Sequence, residues 1–266
     1  MPDPSETTPL DTAHAAMEAA PEDDSARLRF YERLADSELF LMLTEEAKGE
    51  SVSPDLFSLP DATYALVFDR AERLSAFATR PVPYAALSGR AIASMLAGQG
   101  VGLGLNLEVA PSSILIPPPA VDWLAATLAE SPSEVEERIA EFTRPGVLPE
   151  TLLAALDTKL AMAGALARSA YLVGTVSESG SRGHLLAFID ARPGAEPALA
   201  KAAGEALTFS GLDAGVLDVG FFAATDTAAA ALARHGLRFD LPEPAAPDRE
   251  QRAAPGSDPD RPPILR

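Results

Sequence analysis

The sequence predicts an α+β protein of two small domains, each a mixed β-sheet flanked by helices. The chain has 266 residues, more than a single hydrophobic core usually holds, so two domains of about 100 to 130 residues are expected. Short apolar segments bounded by turn-forming residues alternate with segments of helical periodicity. An acidic stretch with turn signals at both ends, residues 131–149, divides the chain.

These signals divide the chain into five predicted parts. They are a disordered head (1–7), a first domain (8–130), a helical linker (131–149), a second domain (150–241) and a disordered, proline-rich tail (242–266). The tail holds seven prolines in 25 residues and almost no apolar periodicity. It is either a docking segment ending in "PPILR" or an untethered end, and the second reading is favoured.

The first domain begins with two predicted helices. Thr8 is an N-cap residue, Pro9 suits the first turn and Asp11 the third position, so a helix is expected to about Ala19. A second helix follows Pro21. The later elements are the strands "ELFLMLT" and "ATYALVF", a short helix containing Leu74, the helix "LSGRAIASMLAG", the strand "SSILI" and a helix containing Leu124.

The second domain is predicted to begin with a helix, which strands and further helices follow. The helix "ETLLAALDTKLAMAGALARSA" precedes the strands "YLVGTVSE" and "HLLAFID", which the turn-forming "SGSRG" joins as a hairpin. A helix over about 196–210, the strand "GVLDVGFFA", a helix ending at His235 and the strand "LRFDL" complete it.

Charge and composition exclude several classes of function. The formal net charge of -18, from 39 acidic and 21 basic residues, opposes binding to nucleic acid or to anionic membranes, which require a positive field. The absence of cysteine excludes disulfides, thiolate catalysis and Cys-based zinc sites. The N-terminal residues show no signal-peptide pattern, and no apolar run approaches the roughly 20 residues that span a bilayer. A cytoplasmic protein is expected.

The stretch "GQGVGLGLNL", residues 98–107, resembles a phosphate-binding loop only in its glycines. Such loops run from a strand into a helix, whereas here a helix precedes the glycines and a strand follows them. Within that strand, Gly102, Gly104, Asn106 and Glu108 share one face. Glycines inside a strand often mark the close approach of another element or a ligand. We call this face the glycine stripe, and it is the candidate contact surface.

Other polar residues offer weaker candidates. Arg90 is added to the candidate contact surface. It follows Gly89 at the start of a helix and either positions an anion with the free backbone amides or is simply exposed. Asp218, inside an apolar strand, is either a buried site residue or lies at a solvated sheet edge. The histidines His14, His184 and His235 lack the spacing of metal ligands. The sequence therefore predicts no catalytic residues, no metal and no cofactor.

The first half of the chain resembles the SseB (enhanced serine sensitivity) family. The resemblance rests on "PEDDSARLRFYERLADSELFLML", "ATYALVFDRAERLSAF", "LSGRAIASMLAGQGVGLGLNLEV" and a proline-led helix, over about residues 8 to 129. The second half is similar to the C-terminal domain that accompanies it. Members often follow the Asn with Pro and Gly, whereas Leu107 and Glu108 follow Asn106 here, so the resemblance carries no turn-based role over to Asn106.

The residues and the resemblance point to the same class of function. The resemblance implies a bacterial cytoplasmic accessory protein with no established enzyme activity and no defined cofactor. We therefore expect a non-catalytic accessory or regulatory protein that contacts an unidentified protein partner, and neither nucleic acid nor a membrane. The alternative is a small-molecule sensor or an enzyme whose site lies in the cleft between the domains.

Overall fold

The computed structural model describes residues 6–47, 49, 52–60, 62–130, 139–212 and 217–241. Most of the predicted head, part of the predicted linker and the whole tail lie outside these residues. The described part of the chain forms two mixed sheets with helices, which confirms the α+β class. We call residues 6–130 the first unit and residues 139–241 the second unit.

The first unit is a mixed sheet in the strand order β4-β1-β3-β5-β6, with β2 also paired to β3. Strands β3 and β5 are parallel and the other neighbours are antiparallel. Its elements are α1 (Pro9–Ala19), α2 (Asp24–Asp36), β1 (Glu38–Met42), β2 (Leu56–Ser58), β3 (Thr63–Phe68), α3 (Ala71–Ala78), β4 (Tyr84–Ser88), α4 (Gly89–Leu96), β5 (Val101–Leu105), β6 (Ile114–Ile116) and α5 (Pro118–Ala129).

The two faces of the first sheet are covered unequally. Helices α1, α2, α4 and α5 pack their apolar sides on one face, around buried residues such as Leu39, Leu41 and Leu103. On the other face a smaller cluster contains Phe68 of β3 and Leu74 of α3. The predicted N-cap of α1 is confirmed, because the Thr8 hydroxyl accepts from the backbone N–H of Asp11 and the Asp11 carboxylate accepts from that of Thr8.

The second unit is a mixed sheet in the order β10-β9-β8-β11, with β7 also paired to β8. Helices α6 and α7 pack on one face and α8 on the other. Among the described strands of this unit, only β9 and β10 are parallel to each other. Its elements are β7 (Ile139–Thr143), α6 (Glu150–Met162), β8 (Ser169–Ser177), β9 (Arg182–Ile189), α7 (Glu196–Phe209), β10 (Asp218–Phe222), α8 (Thr227–His235) and β11 (Leu237–Asp240).

The predicted helical linker is wrong for residues 139–143, which form strand β7 along one edge of β8. Residues 131–138 lie outside the described residues. The acidic residues of this stretch favoured a helix locally, but the edge of β8 supplies backbone hydrogen bonds and the second core packs against Ile139 and Phe142. Tertiary pairing thus overrides the local preference, and the second unit includes the end of the predicted linker.

The two units are in direct contact through α7. Phe209 at the end of α7 is buried in the core of the first unit, with its ring 6.4 Å from that of Trp123. Helix α7 also packs against α2. Within the described residues, no helix is both long and apolar enough to cross a membrane.

Candidate functional site

The two glycines of the predicted stripe lie on β5 and are covered. The predicted shared face is wrong for Asn106 and Glu108, because β5 ends at Leu105 and the chain turns there. Gly102 and Gly104 are buried beneath Tyr64 and Phe57. A Cβ atom added at Gly102 would lie 2.4 Å from the Ile116 carbonyl oxygen and 2.7 Å from the Tyr64 ring. The expected close approach is therefore present within the first unit, and Gly102→Val would overpack it. The structure leaves these two glycines no open surface for a partner.

Asn106 is also buried, at the end of β5. Its backbone is left-handed, with φ 47°. The side-chain oxygen accepts from the backbone N–H of Asp69 (3.1 Å), and the amide donates to the Ser112 hydroxyl (2.9 Å). Its carbonyl accepts from the N–H of Val109, which closes a turn through Leu107 and Glu108. Asn106 thus does have a turn-based role, although Pro and Gly do not follow it.

Glu108 is exposed and is the third residue of this turn, with φ 61°. Glycine is favoured at that position because it has no Cβ to collide with the backbone. We expect Glu108→Gly to raise the free energy of unfolding by about 0.5–1 kcal/mol in urea denaturation. Glu108→Gln keeps the Cβ and removes the charge. An equal gain from Glu108→Gln would assign the effect to charge and contradict the turn argument.

Arg73 of α3 is fully buried and joins three segments of the first unit. Its guanidinium donates to both carboxylate oxygens of Asp11 (3.0 and 2.5 Å) and of Asp69 (2.8 and 3.1 Å). Asp11 also accepts from the Ser112 hydroxyl, and Asp69 accepts from the Thr8 hydroxyl. Burial would raise the pKa of Asp11, but hydrogen bonds from Arg73 and Ser112 outweigh burial and hold the pKa far below its usual range. The network fixes α1 to the sheet.

Arg90, predicted as an anion-positioning or exposed residue, instead pairs with carboxylates of both units. Its guanidinium donates to Asp36 of α2 and, at 3.0 and 3.2 Å, to Glu205 of α7. These hydrogen bonds, the pair donated to Glu205 foremost, raise the pKa of Arg90. Its charge is therefore already matched, and it lies apart from the glycine stripe, on an edge of the contact between the units.

Lys159 of α6 is the buried centre of the same cluster. Its ammonium donates to Asp36 (2.7 Å) and Glu205 (2.9 Å) and lies 3.6 Å from a carboxylate oxygen of Glu32. Burial would lower the pKa of Lys159, but Asp36 and Glu205 reverse the effect and raise it. Burial would likewise raise the pKa of Glu205, which Arg90 and Lys159 lower. We call Glu32, Asp36, Arg90, Lys159 and Glu205 the inter-unit cluster.

Glu32 is the least satisfied member of the inter-unit cluster. Its buried oxygen accepts no hydrogen bond within the described structure, and burial together with the charge of Asp36 raises its pKa. The cluster holds three carboxylates against two cations, so a negative charge is in excess. The charged form of Glu32 therefore destabilises the fold.

We expect Glu32→Gln to raise the free energy of unfolding by about 1 kcal/mol at pH 7, because it removes this poorly satisfied charge. The gain should vanish as the pH falls through the raised pKa of Glu32, where the wild-type side chain is itself neutral. Urea denaturation across the pH range measures this. A gain that persists in acid would show that charge is not the cause. Glu22→Gln, on the surface, is the control.

The remaining polar candidates are accounted for by packing or solvation. His14 is buried with its ring edge-on to Phe30, His184 lies on β9, and His235 ends α8 as predicted. Asp218 is exposed on the edge strand β10, as the solvated alternative predicts. Among the described residues, no three His, Asp or Glu side chains are grouped in a way that would hold a metal ion.

Strand β4 is an open edge of the first sheet. The described strands pair with it only through β1. The N–H of Leu43 donates to the carbonyl of Pro83, and the N–H of Gly89 to that of Ser37. Because hydrogen-bonded pairs alternate in an antiparallel ladder, the backbone groups of Tyr84 and Ala86 point away from β1. Both residues are exposed.

An aromatic patch with acidic ends lies beside this edge. Tyr84 is 50% exposed, and its ring meets the half-buried ring of Phe40 at 5.6 Å. Directly paired residues share a face, so Phe40 lies beside Ala86 and the exposed Glu38 lies beside Ser88. At the other end, exposed Glu46 and Tyr84 line a cavity of about 310 Å³ with Ala47, Val82 and Pro83. We call Glu38, Phe40, Glu46, Tyr84 and Ala86 the β4 surface.

The sequence analysis missed both the inter-unit cluster and the β4 surface. Glu32 and Asp36, four residues apart on one helix, and Lys159 beside Leu160 in an apolar helix were the available signals for the cluster. The signal for the edge was a run without charge, "YAALS", directly after Pro83. Neither signal identifies the residues or strands that pair with it, because these pairs form only in the folded chain.

Comparison with known proteins supports the resemblance for the first unit. Residues 13–123 match the model of the SseB protein N-terminal domain. No curated protein and no solved structure matches the chain. The second unit lies outside the family match, so its similarity to the accompanying C-terminal domain stays a prediction. The first unit thus contains an SseB N-terminal domain, over residues 13–123.

Proposed function

We propose that this is a bacterial, cytoplasmic, non-catalytic accessory protein that acts by binding a protein partner at the β4 surface. The observation that carries the proposal is an open sheet edge with no charged residue and with a half-exposed tyrosine. Proteins usually protect such edges with charge, proline or a covering element. Exposed tyrosine is also enriched in protein interfaces.

The backbone at this edge favours an extended partner segment. Tyr84 and Ala86 each present one N–H and one C=O outward, which an added strand would pair. The Phe40 and Tyr84 rings lie on the same face and offer an apolar contact for its side chains. The backbone hydrogen bonds to β4 would thus supply the affinity for the partner segment, and the aromatic rings would supply the selectivity for its side chains.

The alternative, a sensor or enzyme with a site between the units, has less support. Such a site needs polar groups that are available to a ligand. At the contact between the units, Asp36 and Glu205 each accept hydrogen bonds from Arg90, and Phe209 fills the adjoining core. These polar groups therefore join the two units to each other.

The test is capture of a partner from source lysate by the immobilised full chain and two variants. Ala86→Lys places a charge on the β4 surface. Leu115→Lys, 39% exposed on the opposite edge strand β6, is the matched control. We expect stoichiometric capture by the wild type and the control, and at least a tenfold loss with Ala86→Lys. Equal capture by all three, or a thermal shift with a metabolite and no stoichiometric partner, would contradict the proposal.

A further inference from the structure

The β4 surface has a charge pattern that specifies its occupant. Its centre, Phe40, Tyr84 and Ala86, is apolar, and Glu38 and Glu46 lie at its two ends. Both carboxylates are exposed, and within the described structure neither forms an ion pair. A segment with an apolar centre and a cation at each end would match this pattern.

The length of β4 sets the spacing of the two cations. Tyr84 and Ser88 are four residues apart, about 13 Å along the strand. Glu46 lies beyond Tyr84, next to Pro83, which adds one or two residue lengths. Two cations about four to six residues apart in an extended or polyproline segment would therefore reach Glu38 and Glu46.

The chain itself contains such a segment, in the tail outside the described residues. Residues 261–266 read Arg-Pro-Pro-Ile-Leu-Arg, with Arg261 and Arg266 five residues apart around an apolar centre. Residues 242–260 connect the last described residue, Leu241, to this segment. These 19 residues span up to about 60 Å when extended. A compact chain of this size has a radius of gyration of about 18 Å, so the segment can reach the β4 surface of its own molecule.

We propose that residues 261–266 bind the β4 surface of the same molecule and compete there with the protein partner, an inference that rests on the proposed function. The prolines pack on the rings of Phe40 and Tyr84, as proline-rich segments do on aromatic grooves. Arg261 and Arg266 pair with the carboxylates at the two ends. Proline without an N–H is tolerated at a sheet edge.

A second copy of the chain fits the same surface poorly. Pairing two β4 strands antiparallel about Ala86 would bring Glu38 of one copy toward Glu46 of the other. Each copy also carries a net charge of -18. Like charges placed opposite each other destabilise such a pair. Residues 261–266, with an arginine at each end, are therefore the favoured occupant.

The test is a titration of a labelled peptide of residues 257–266, followed by fluorescence anisotropy, into four full-length chains: the wild type and three variants. Arg261→Glu/Arg266→Glu disables the chain's own tail and should bind the peptide at least fivefold more tightly than the wild type. Adding Glu38→Lys/Glu46→Lys should weaken that binding at least tenfold. Adding Glu18→Lys/Glu22→Lys instead makes the same change of net charge away from the surface and should have little effect.

Absence of binding to the tail-disabled chain, or equal weakening by both pairs of lysines, would overturn the inference. The outcome is separable from that of the proposed function. If Ala86→Lys abolishes partner capture while the peptide does not bind, only the tail inference fails. If Ala86→Lys leaves partner capture unchanged, the proposed function fails whatever the peptide does.

Discussion

Arg73→Leu is expected to lower the free energy of unfolding by about 3–5 kcal/mol at pH 7, measured by urea denaturation. Its side chain is 0% exposed, and those of its partners Asp11 and Asp69 are 2% and 5% exposed. Removing one partner from a buried pair leaves uncompensated charge, which costs far more than a surface ion pair contributes. The variant is therefore expected to be near the limit of folding.

The matched control is Arg70→Leu, one turn earlier. Arg70 pairs with Glu6 at 3.0 Å, but Glu6 is 63% exposed, so a loss below about 1 kcal/mol is expected. The pH dependence supplies a second check. The lowered pKa of Asp11 stabilises the fold above its unfolded pKa, and this contribution is lost as the pH falls below about 4. The gap between wild type and Arg73→Leu should narrow there, and a constant gap would contradict the electrostatic account.

Lys159→Met is expected to cost a similar amount, about 3–5 kcal/mol, and to uncouple the two units. Lys159 joins α6 to Asp36 of the first unit and to Glu205 of α7. Without its charge, three carboxylates face Arg90 alone within the inter-unit cluster. Methionine has an unbranched apolar side chain of similar length, so the change removes the ammonium alone, together with its cation–π contact with the Phe209 ring 5.9 Å away.

Scanning calorimetry measures this uncoupling. The wild type should unfold in one transition, because α7 is packed into both units, and Lys159→Met should show two. Lys201→Met, on α7 outside the cluster, should change stability by no more than about 0.5 kcal/mol. A single transition at the wild-type temperature for Lys159→Met would mean that the cluster does not hold the units together.

The elements that the sequence predicted are those whose signals are local. The Thr8 cap and the strand at residues 63–68 follow from spacing within a few residues. Strand β7 was missed because its stability comes from pairing with β8, about 35 residues further along the chain. The prediction for residues 139–143 followed their local helix preference, whereas the structure follows their pairing with β8.

The Arg73 network and the inter-unit cluster could not be predicted from the sequence for the same reason. Arg73 and Asp11 are 62 residues apart, and Lys159 and Asp36 are 123 residues apart. No periodicity links residues at such separations. The glycine stripe was found correctly as a place of close approach, but its covering rings, Tyr64 and Phe57, come from neighbouring strands. Likewise no strand was assigned to β4, whose edge position depends on the sheet order.

The most direct test of binding at the β4 surface is hydrogen–deuterium exchange of the full chain with and without the captured partner. The outward amides of Tyr84 and Ala86 have no partner within the described structure. In the chain whose tail is disabled by Arg261→Glu/Arg266→Glu, they should therefore exchange fast without the partner and slowly in the complex. Protection centred on residues 84–88 is the predicted result. Protection confined to β6, to α8 or to the contact between the units would contradict the account.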